Sequence, residues 1–399
     1  MYPNLRYAIY DLTGLDIPAF ALIQTYGFFL ALTFLACGWA LTADLKRRER
    51  LGILKGMEEV KLMGQPLSLL DVITNAILGF LLGFKGIYAI YNTDLFTGSE
   101  ARTYLLSIEH GSWIGGIGLA ALFTFLKYRD NKKERLEYPT PQKVNKLVMP
   151  HERVSDIIIL AAVSGIIGAK LLYMTEVEYQ SMEQMVGDFF SGSGLSVYGG
   201  FILAFFVVTY YVRSKNMPLL QMIDACAPAM ILGTGLGRLG CHFSGDGDWG
   251  DPNPYAKPAS WIPDWLWAYD YPNNVMNDGK ALADCYYPES FGDYCNVLPQ
   301  GVFPTPIFEL IICLIIFVLL WSLRSKVRVH GIIFSVYLMF TGVQRFLLEM
   351  IRVNDDHAIA GLNLSQAQYI SIMLMVIGLI MTFLLVSKQR KLPIENTEE

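Results

Sequence analysis

Three arginines stand at the ends of apolar stretches: Arg238 in "GTGLGRLGCHFSGDGDWG" (residues 233–250), and Arg345 and Arg352 in "QRFLLEMIRVND" (344–355). A guanidinium at or inside hydrocarbon costs at least about 2.5 to 3.5 kcal/mol on insertion scales and persists there only with a partner. A planar fork of donors that keeps its charge suits one chemistry above others, gripping a phosphate or carboxylate and stabilising negative charge that grows on it. Gly233, Gly235, Gly237 and Gly240 let backbone and ligand come close to Arg238. The structural alternative is that these arginines snorkel to the outer interface or pair with Glu349 or Asp246. It applies best to Arg352, just past its apolar run.

Neighbouring motifs carry less. "GLGRLG" from Gly235 matches GxGxxG, but the dinucleotide fingerprint needs a strand before it and a helix after it; an apolar helix precedes this one and a polar loop follows. "DGDWGD" from Asp246 breaks the order of a calcium loop and reads as a solvated turn. No CxxC or His-rich spacing argues for zinc, and no metal or cofactor is expected. His242 is an imidazole suited to proton transfer or, alternatively, a loop histidine bonded to backbone. Cys37, Cys226 and Cys313 sit in apolar runs as small buried residues, whereas Cys285 and Cys295, in a polar loop, could pair if that compartment is oxidising.

The elements that position these residues are membrane helices. The chain is 399 residues long, 53% hydrophobic and 17% charged, with a mean hydropathy of +0.37, outside the habit of soluble domains. Apolar runs at 19–42, 71–92, 111–127, 155–174, 195–212, 219–237, 303–323, 331–349 and 367–387 predict an all-α polytopic bundle of about nine spans. Lys and Arg follow the first, third, fifth, seventh and last runs, as in "KRRER" at 46–50, which places those loops in the cytosol. The amino terminus is then outside and the carboxyl terminus cytosolic. The basic flank follows the first run, so that run does not read as a cleavable signal. Nothing suggests nucleic-acid binding.

An internal repeat runs through the first half. "DVITNAILGFLLGFKGIYAIY" from Asp71 and "DIIILAAVSGIIGAKLLYM" from Asp156 share Asp, Gly, Lys and Tyr in register, and "SWIGGIGLA" from Ser112 matches "SVYGGFILA" from Ser196. Residues 71–127 and 155–212 therefore read as two copies of a helix pair within one membrane domain, 1–399. The segment 241–302, rich in Pro, Trp, Tyr and Asp, reads as an extracytoplasmic cap at the headgroup layer.

Taken in order, these stretches resemble the prolipoprotein diacylglyceryl transferase family. "GRLGCHFSGDGDWG" is similar to its Gly-Arg-x-Gly-Asn-Phe-x-Asn-x-Glu signature with the Trp-Gly that follows, "TYGFFLALTF" to its first-helix Tyr-Gly, and "SVYGGFILA" to its His-Gly-Gly-Leu-Ile motif. "FPTPIFEL" resembles its Pro-Ser-Gln-Leu-Tyr-Glu segment, and "QRFLLEMIRVND" its Phe-Arg-x-x-x-Glu-Phe-Phe-Arg segment. The resemblance implies that Arg238 and Arg345 are the essential arginines. Tyr26, Gly199, Gly200, Cys241, Ser244, Asp246, Gly250, Glu309, Glu349 and Arg352 would line the substrate site. This chain departs from the pattern: Cys241 and Ser244 replace asparagines, Asp246 replaces glutamate, one extra residue precedes Trp249, Tyr198 replaces the histidine, and the pair at 71–127 is additional.

The implied reaction moves the diacylglyceryl group of phosphatidylglycerol to the lipobox cysteine thiol of a prolipoprotein, at the outer face of the bacterial cytoplasmic membrane. It is the first step of lipoprotein maturation and releases glycerol phosphate. Arg238 and Arg345 would stabilise the leaving phosphate. For the base, Tyr198 and His242 are both open: a phenol is mostly protonated at neutral pH, and an imidazole is not. Two other classes remain compatible with the residues, a lipid or anion transporter holding substrate near mid-membrane and an inactive homologue. Both substrates being membrane-bound, lateral openings between helices are expected.

Overall fold

The computed structural model describes residues 1–97, 104, 107, 109–177, 179, 181–189, 194, 196–282, 287, 294–352, 356–359 and 362–390. Helices dominate: α1 (Leu5–Thr13), α2 (Thr25–Arg50), α3 (Leu69–Tyr91), α4 (Thr93–Thr97), α5 (Trp113–Glu137), α6 (Val154–Glu176), α7 (Met182–Phe189), α8 (Val197–Ser214), α9 (Leu219–Ser244), α10 (Asp264–Trp267), α11 (Thr305–Leu323), α12 (Ile332–Glu349) and α13 (Gln366–Arg390). Three antiparallel two-stranded ribbons accompany them: β1 (Met57–Met63) with β2 (Gln142–Val148), β3 (Lys280–Ala281) with β4 (Asn296–Val297), and β5 (Asp356–Ile359) with β6 (Leu362–Ser365).

Each of the nine predicted apolar runs is helical, and seven helices among the described residues are long and apolar enough to cross a membrane. The run at 111–127 opens α5, which turns charged from Lys127 onward, and the apolar stretch of α8, Tyr198–Ser214, falls short of spanning length. The chain packs as two compact units: 1–3, 25–55 and 150–399 in one, 4–24 and 56–149 in the other.

In the larger unit, α9, α11 and α12 share a core of Ala227, Ile231, Cys313, Ile316, Ile333 and Tyr337. Asp224 on α9 caps α12, its carboxylate accepting the backbone N–H of Gly331 at 2.6 Å and of Phe334 at 2.9 Å. Those donors have no partner within their own helix, so a buried carboxylate from a neighbour fixes where α12 begins. α9 stops at Ser244 because Gly245 adopts a left-handed φ of 66°, its N–H bonded to Cys241 O. The helix thus runs seven residues past its apolar stretch, and 241–244, expected in the loop, are helical.

In the smaller unit, Ser68 and Ser112 cap α3 and α5, accepting from Asp71 N and Gly115 N. The α3/α5 pair leaves an apolar groove of about 620 Å³ lined by Val72, Ala76, Phe80, Ala120 and Thr124. The same contacts recur at matching positions of the α3/α5 and α6/α8 pairs. Gly83 packs on Gly115 as Gly168 packs on Gly199. Ser112 N donates to Phe84 O at 2.8 Å, and Ser196 N to Ala169 O at 3.1 Å. Lys85 and Lys170 each donate to carbonyls of the segment between their two helices, His110 O at 2.7 Å in one and Asp188 O at 3.0 Å in the other.

A Cβ on Gly199 would lie 2.3 Å from Gly168 O, a backbone atom that cannot swing away. Gly199→Ala is therefore expected to destabilise the protein by about 1 to 3 kcal/mol, the cost of overpacking. Gly118, whose Cβ would meet nothing within 4 Å, should accept alanine with no loss. Thermal unfolding of both variants in detergent checks the contrast.

Candidate active site

The site is built where the end of α9 meets the start of α11 and the end of α12. Arg238, about 9 Å along the axis before the last residue of α9, forms an ion pair through Nε with Glu309 Oε2 on α11 at 2.8 Å. Its Nη1 pairs with Asp248 in the loop that follows α9. The other carboxylate oxygen of Asp248 takes Nη2 of Arg352, just past α12. Arg345, one turn before the end of α12, pairs with Glu349 at 3.1 Å, and the Ser365 hydroxyl donates to the other oxygen of Glu349 at 2.8 Å. The Arg345 charge also acts on Asp248. Two guanidiniums in contact and a third in range thus converge on one carboxylate.

The loop is stitched in place by backbone. Thr305 Oγ1 donates to Asp248 O at 2.7 Å, Gly250 N to Phe303 O at 2.9 Å, and Asp251 N to Ile351 O at 3.0 Å. A Cβ on Gly250 would lie 2.4 Å from Ile351 O, so only glycine lets the loop approach α12 this closely. Burial alone would raise the pKa of Asp248, but Arg238 and Arg352 outweigh it and hold the carboxyl below the ordinary range. Asp246 goes the other way: burial raises its pKa despite the hydrogen bond from Cys241.

The remaining site residues separate into two groups. Cys241 is buried with Sγ 3.7 Å from Arg238 Nη1, and Tyr26 on α2 is packed against Gly240 and lies in the field of Arg238, Asp246 and Asp248. Ser244 spends its hydroxyl on Gly240 O at 2.8 Å within its own helix. His242 is 5% exposed and helical, not in a loop; its Nδ1 lies 3.2 Å from the Tyr271 hydroxyl and its ring against Tyr269 and Tyr271. Gly199 and Gly200 pack against α6, at Gly168 and Gly165. Among the described residues, no hydrogen bond or ion pair joins Tyr198 to the arginines.

The structure corrects two sequence expectations. Asp248, not Asp246 or Glu349, is the partner of Arg352. "DGDWGD" is a half-buried loop within the ion-pair network and not a solvated turn. The Tyr269–Tyr271 pocket around His242 had no signal short of the folded loop, where Tyr271 takes a left-handed φ of 44° while 1% exposed. Cys295 is disulfide-bonded, and Cys285 lies outside the described residues. Cys241, Asp246 and Asp248 bring ligand atoms within 4.8 Å of one another. With Asp248 held by two guanidiniums and Arg238 against the sulfur, the surroundings are already cationic and do not suit a divalent ion.

A lipid-facing bundle with arginines gathered at one end of three helices is the arrangement the sequence resemblance implies, and the prolipoprotein diacylglyceryl transferase model matches residues 137–384, more than half of the chain. The chain belongs to this family. The phosphatidylglycerol–prolipoprotein diacylglyceryl transferase of Dehalococcoides mccartyi (strain CBDB1) is 27% identical over 293 residues, 70% of this chain and 91% of the relative. That of Corynebacterium glutamicum (strain R) is 29% identical over 249 residues, 61% and 72%. That of Xylella fastidiosa (strain M12) is 27% identical over 242 residues, 58% and 76%. The family match contains Arg238, Glu309, Arg345, Glu349 and Arg352, while the α3/α5 pair precedes it.

Proposed function

We propose that this membrane transferase moves the diacylglyceryl group of phosphatidylglycerol to the lipobox cysteine of a prolipoprotein held by its signal peptide. It would act at the outer face of the bacterial cytoplasmic membrane. The thiol sulfur forms a C–S bond to the terminal glycerol carbon of the diacylglyceryl group, the C–O bond to phosphate breaks, and glycerol phosphate leaves. The observation that carries this reading is the pairing of Arg238 and Arg352 with the two oxygens of Asp248, with Arg345 paired to Glu349 and within electrostatic range. A phosphodiester placed there meets preorganised donors where its charge develops, and such donors supply most of the rate enhancement in this kind of catalysis. The arginines belong to helix ends, and α9 runs unbroken through Pro228, which favours catalysis over transport through a broken mid-membrane helix.

The thiol proton goes to Asp246. Its carboxylate stands beside Cys241 and Asp248, and burial makes it a stronger base than an exposed aspartate. His242 is turned into the tyrosine pocket, and Tyr198 belongs to the α6/α8 pair. Asp246→Asn is expected to cut the rate by about 10² or more, the usual worth of a positioned base. Tyr198→Phe and His242→Gln should each keep at least roughly a tenth of the activity, well short of that loss. Thioether formation from labelled phosphatidylglycerol and a lipobox peptide measures all three; a full loss in Tyr198→Phe with Asp246→Asn active would reverse the assignment. No transfer at all by folded wild-type protein would refute the transferase reading.

A further inference from the structure

At the far end of α2 and α11 lies a second cationic cluster with no part in the transfer reaction. Asp44, fully buried, is held by three arginines: Arg47 Nε at 2.9 Å, Arg48 Nε at 2.7 Å and Arg324 Nη1 at 3.1 Å. Arg47 Nη2 also donates to Arg324 O at 3.0 Å, which ties α2 to the end of α11. The side chains of Arg48, Arg324 and Arg47 are only 5%, 13% and 19% exposed.

Among the described residues, the charges do not balance. One carboxylate faces three guanidiniums, and Asp224, which feels Arg48, still leaves the cluster positive. Glu49 is taken by His151 at 2.7 Å. Part-buried cations without counter-charge are costly, and five donors per guanidinium leave forks open for an anion. Position says which kind. Asp44 lies 18 residues beyond Tyr26 on α2, and Arg324 lies 15 beyond Glu309 along α11. At 1.5 Å per residue both are roughly 25 Å from the active site, near the opposite membrane surface.

On the hydrocarbon side of the arginines sit two stacked tryptophans, Trp39 and Trp321, with ring centroids 5.9 Å apart. Arg324 lies over the Trp321 ring at 3.1 Å, and Trp39 is 63% exposed. Guanidinium forks at headgroup level with indoles just below match the phosphate and glycerol-ester layers of one molecule.

We propose that Arg47, Arg48 and Arg324, with Trp39 and Trp321, bind the headgroup of an anionic phospholipid from the leaflet opposite the active site. The lipid would complete the neutralisation of the cluster and pin α2 to α11, whose other ends carry Tyr26 and Glu309.

Native mass spectrometry of the full chain with phosphatidic acid, phosphatidylcholine or inorganic phosphate tests this. Arg238→Gln/Glu309→Gln protein, with one of the three active-site cations removed, should still retain phosphatidic acid. Retention should fall roughly tenfold in Arg47→Gln/Arg324→Gln, the factor for one charge-assisted hydrogen bond. Should that variant fail to fold, Trp39→Ala, which touches none of the ion pairs, is expected to lower retention severalfold. Equal retention in the variants, or phosphatidylcholine held as well as phosphatidic acid, would overturn the site. Displacement of the lipid by inorganic phosphate would reassign it to a free anion and overturn the lipid.

Discussion

Arg238→Ala is expected to lower thioether formation by about 10² to 10³, the cost of losing one preorganised donor to a developing anion. Arg238→Lys should recover little of it. The guanidinium reaches Glu309 through Nε and Asp248 through Nη1 at once, and a single ammonium cannot hold two carboxylates in that fork geometry. Removing the charge also leaves Glu309, 3% exposed, without its counterion, a loss on the order of 3 kcal/mol in stability. Stability and chemistry separate in the Arg238→Gln/Glu309→Gln pair, which removes both buried charges. That variant should regain most of the lost thermal stability and none of the transfer. If it regained activity as well, Arg238 would be a structural ion-pair partner and the phosphate would bind elsewhere.

Much of this arrangement is legible before folding, for a physical reason. Charges in apolar helices are expensive, so Arg238, Arg345 and Arg352 announce themselves by type and place alone, with Glu349 as a candidate partner, whereas Glu309 is implied only by the family resemblance. Hydropathy locates all nine apolar runs, since spanning length is read directly from the chain. Hydropathy does not show where a helix stops once its residues become polar. α9 continues through Cys241-His242-Phe243-Ser244 because Gly245 supplies the left-handed cap there and not earlier. That extension decides which aspartate turns toward the arginines, and so the sequence points to Asp246 while the arginines meet Asp248.

The β1/β2 ribbon is also invisible in sequence. Its strands, "MEEVKLM" and "QKVNKLV", are polar and exposed on both faces for most of their length and pair across some 80 residues, so no apolar alternation marks them. Gly199 and Gly200 illustrate a different limit. A Gly-Gly pair at a membrane helix start serves close helix packing and ligand approach equally well in sequence, and only the 2.3 Å from the Gly199 Cβ position to Gly168 O assigns the packing.

Asp248→Asn should expose what the carboxylate does before substrate arrives. With its charge gone, Arg238 and Arg352 face each other with Glu309 in partial compensation, so the variant is expected to be less stable at neutral pH. The pH dependence has a definite sign. Because the arginines hold the native pKa of Asp248 below its unfolded value of about 3.9, its contribution is complete above that value and is lost as the pH falls through the native pKa. The wild-type and Asp248→Asn melting curves should therefore differ most near neutrality and converge in acid. An anion that occupies the vacated position should close the gap at neutral pH. Glycerol phosphate, the group released in the proposed transfer, is thus expected to raise the melting temperature of Asp248→Asn more than that of wild type, where Asp248 competes with it. Equal shifts in both proteins, or a gap that persists at low pH, would mean that Asp248 does not stand in the phosphate's place. The arginine cluster would then need another explanation than the headgroup of its lipid substrate.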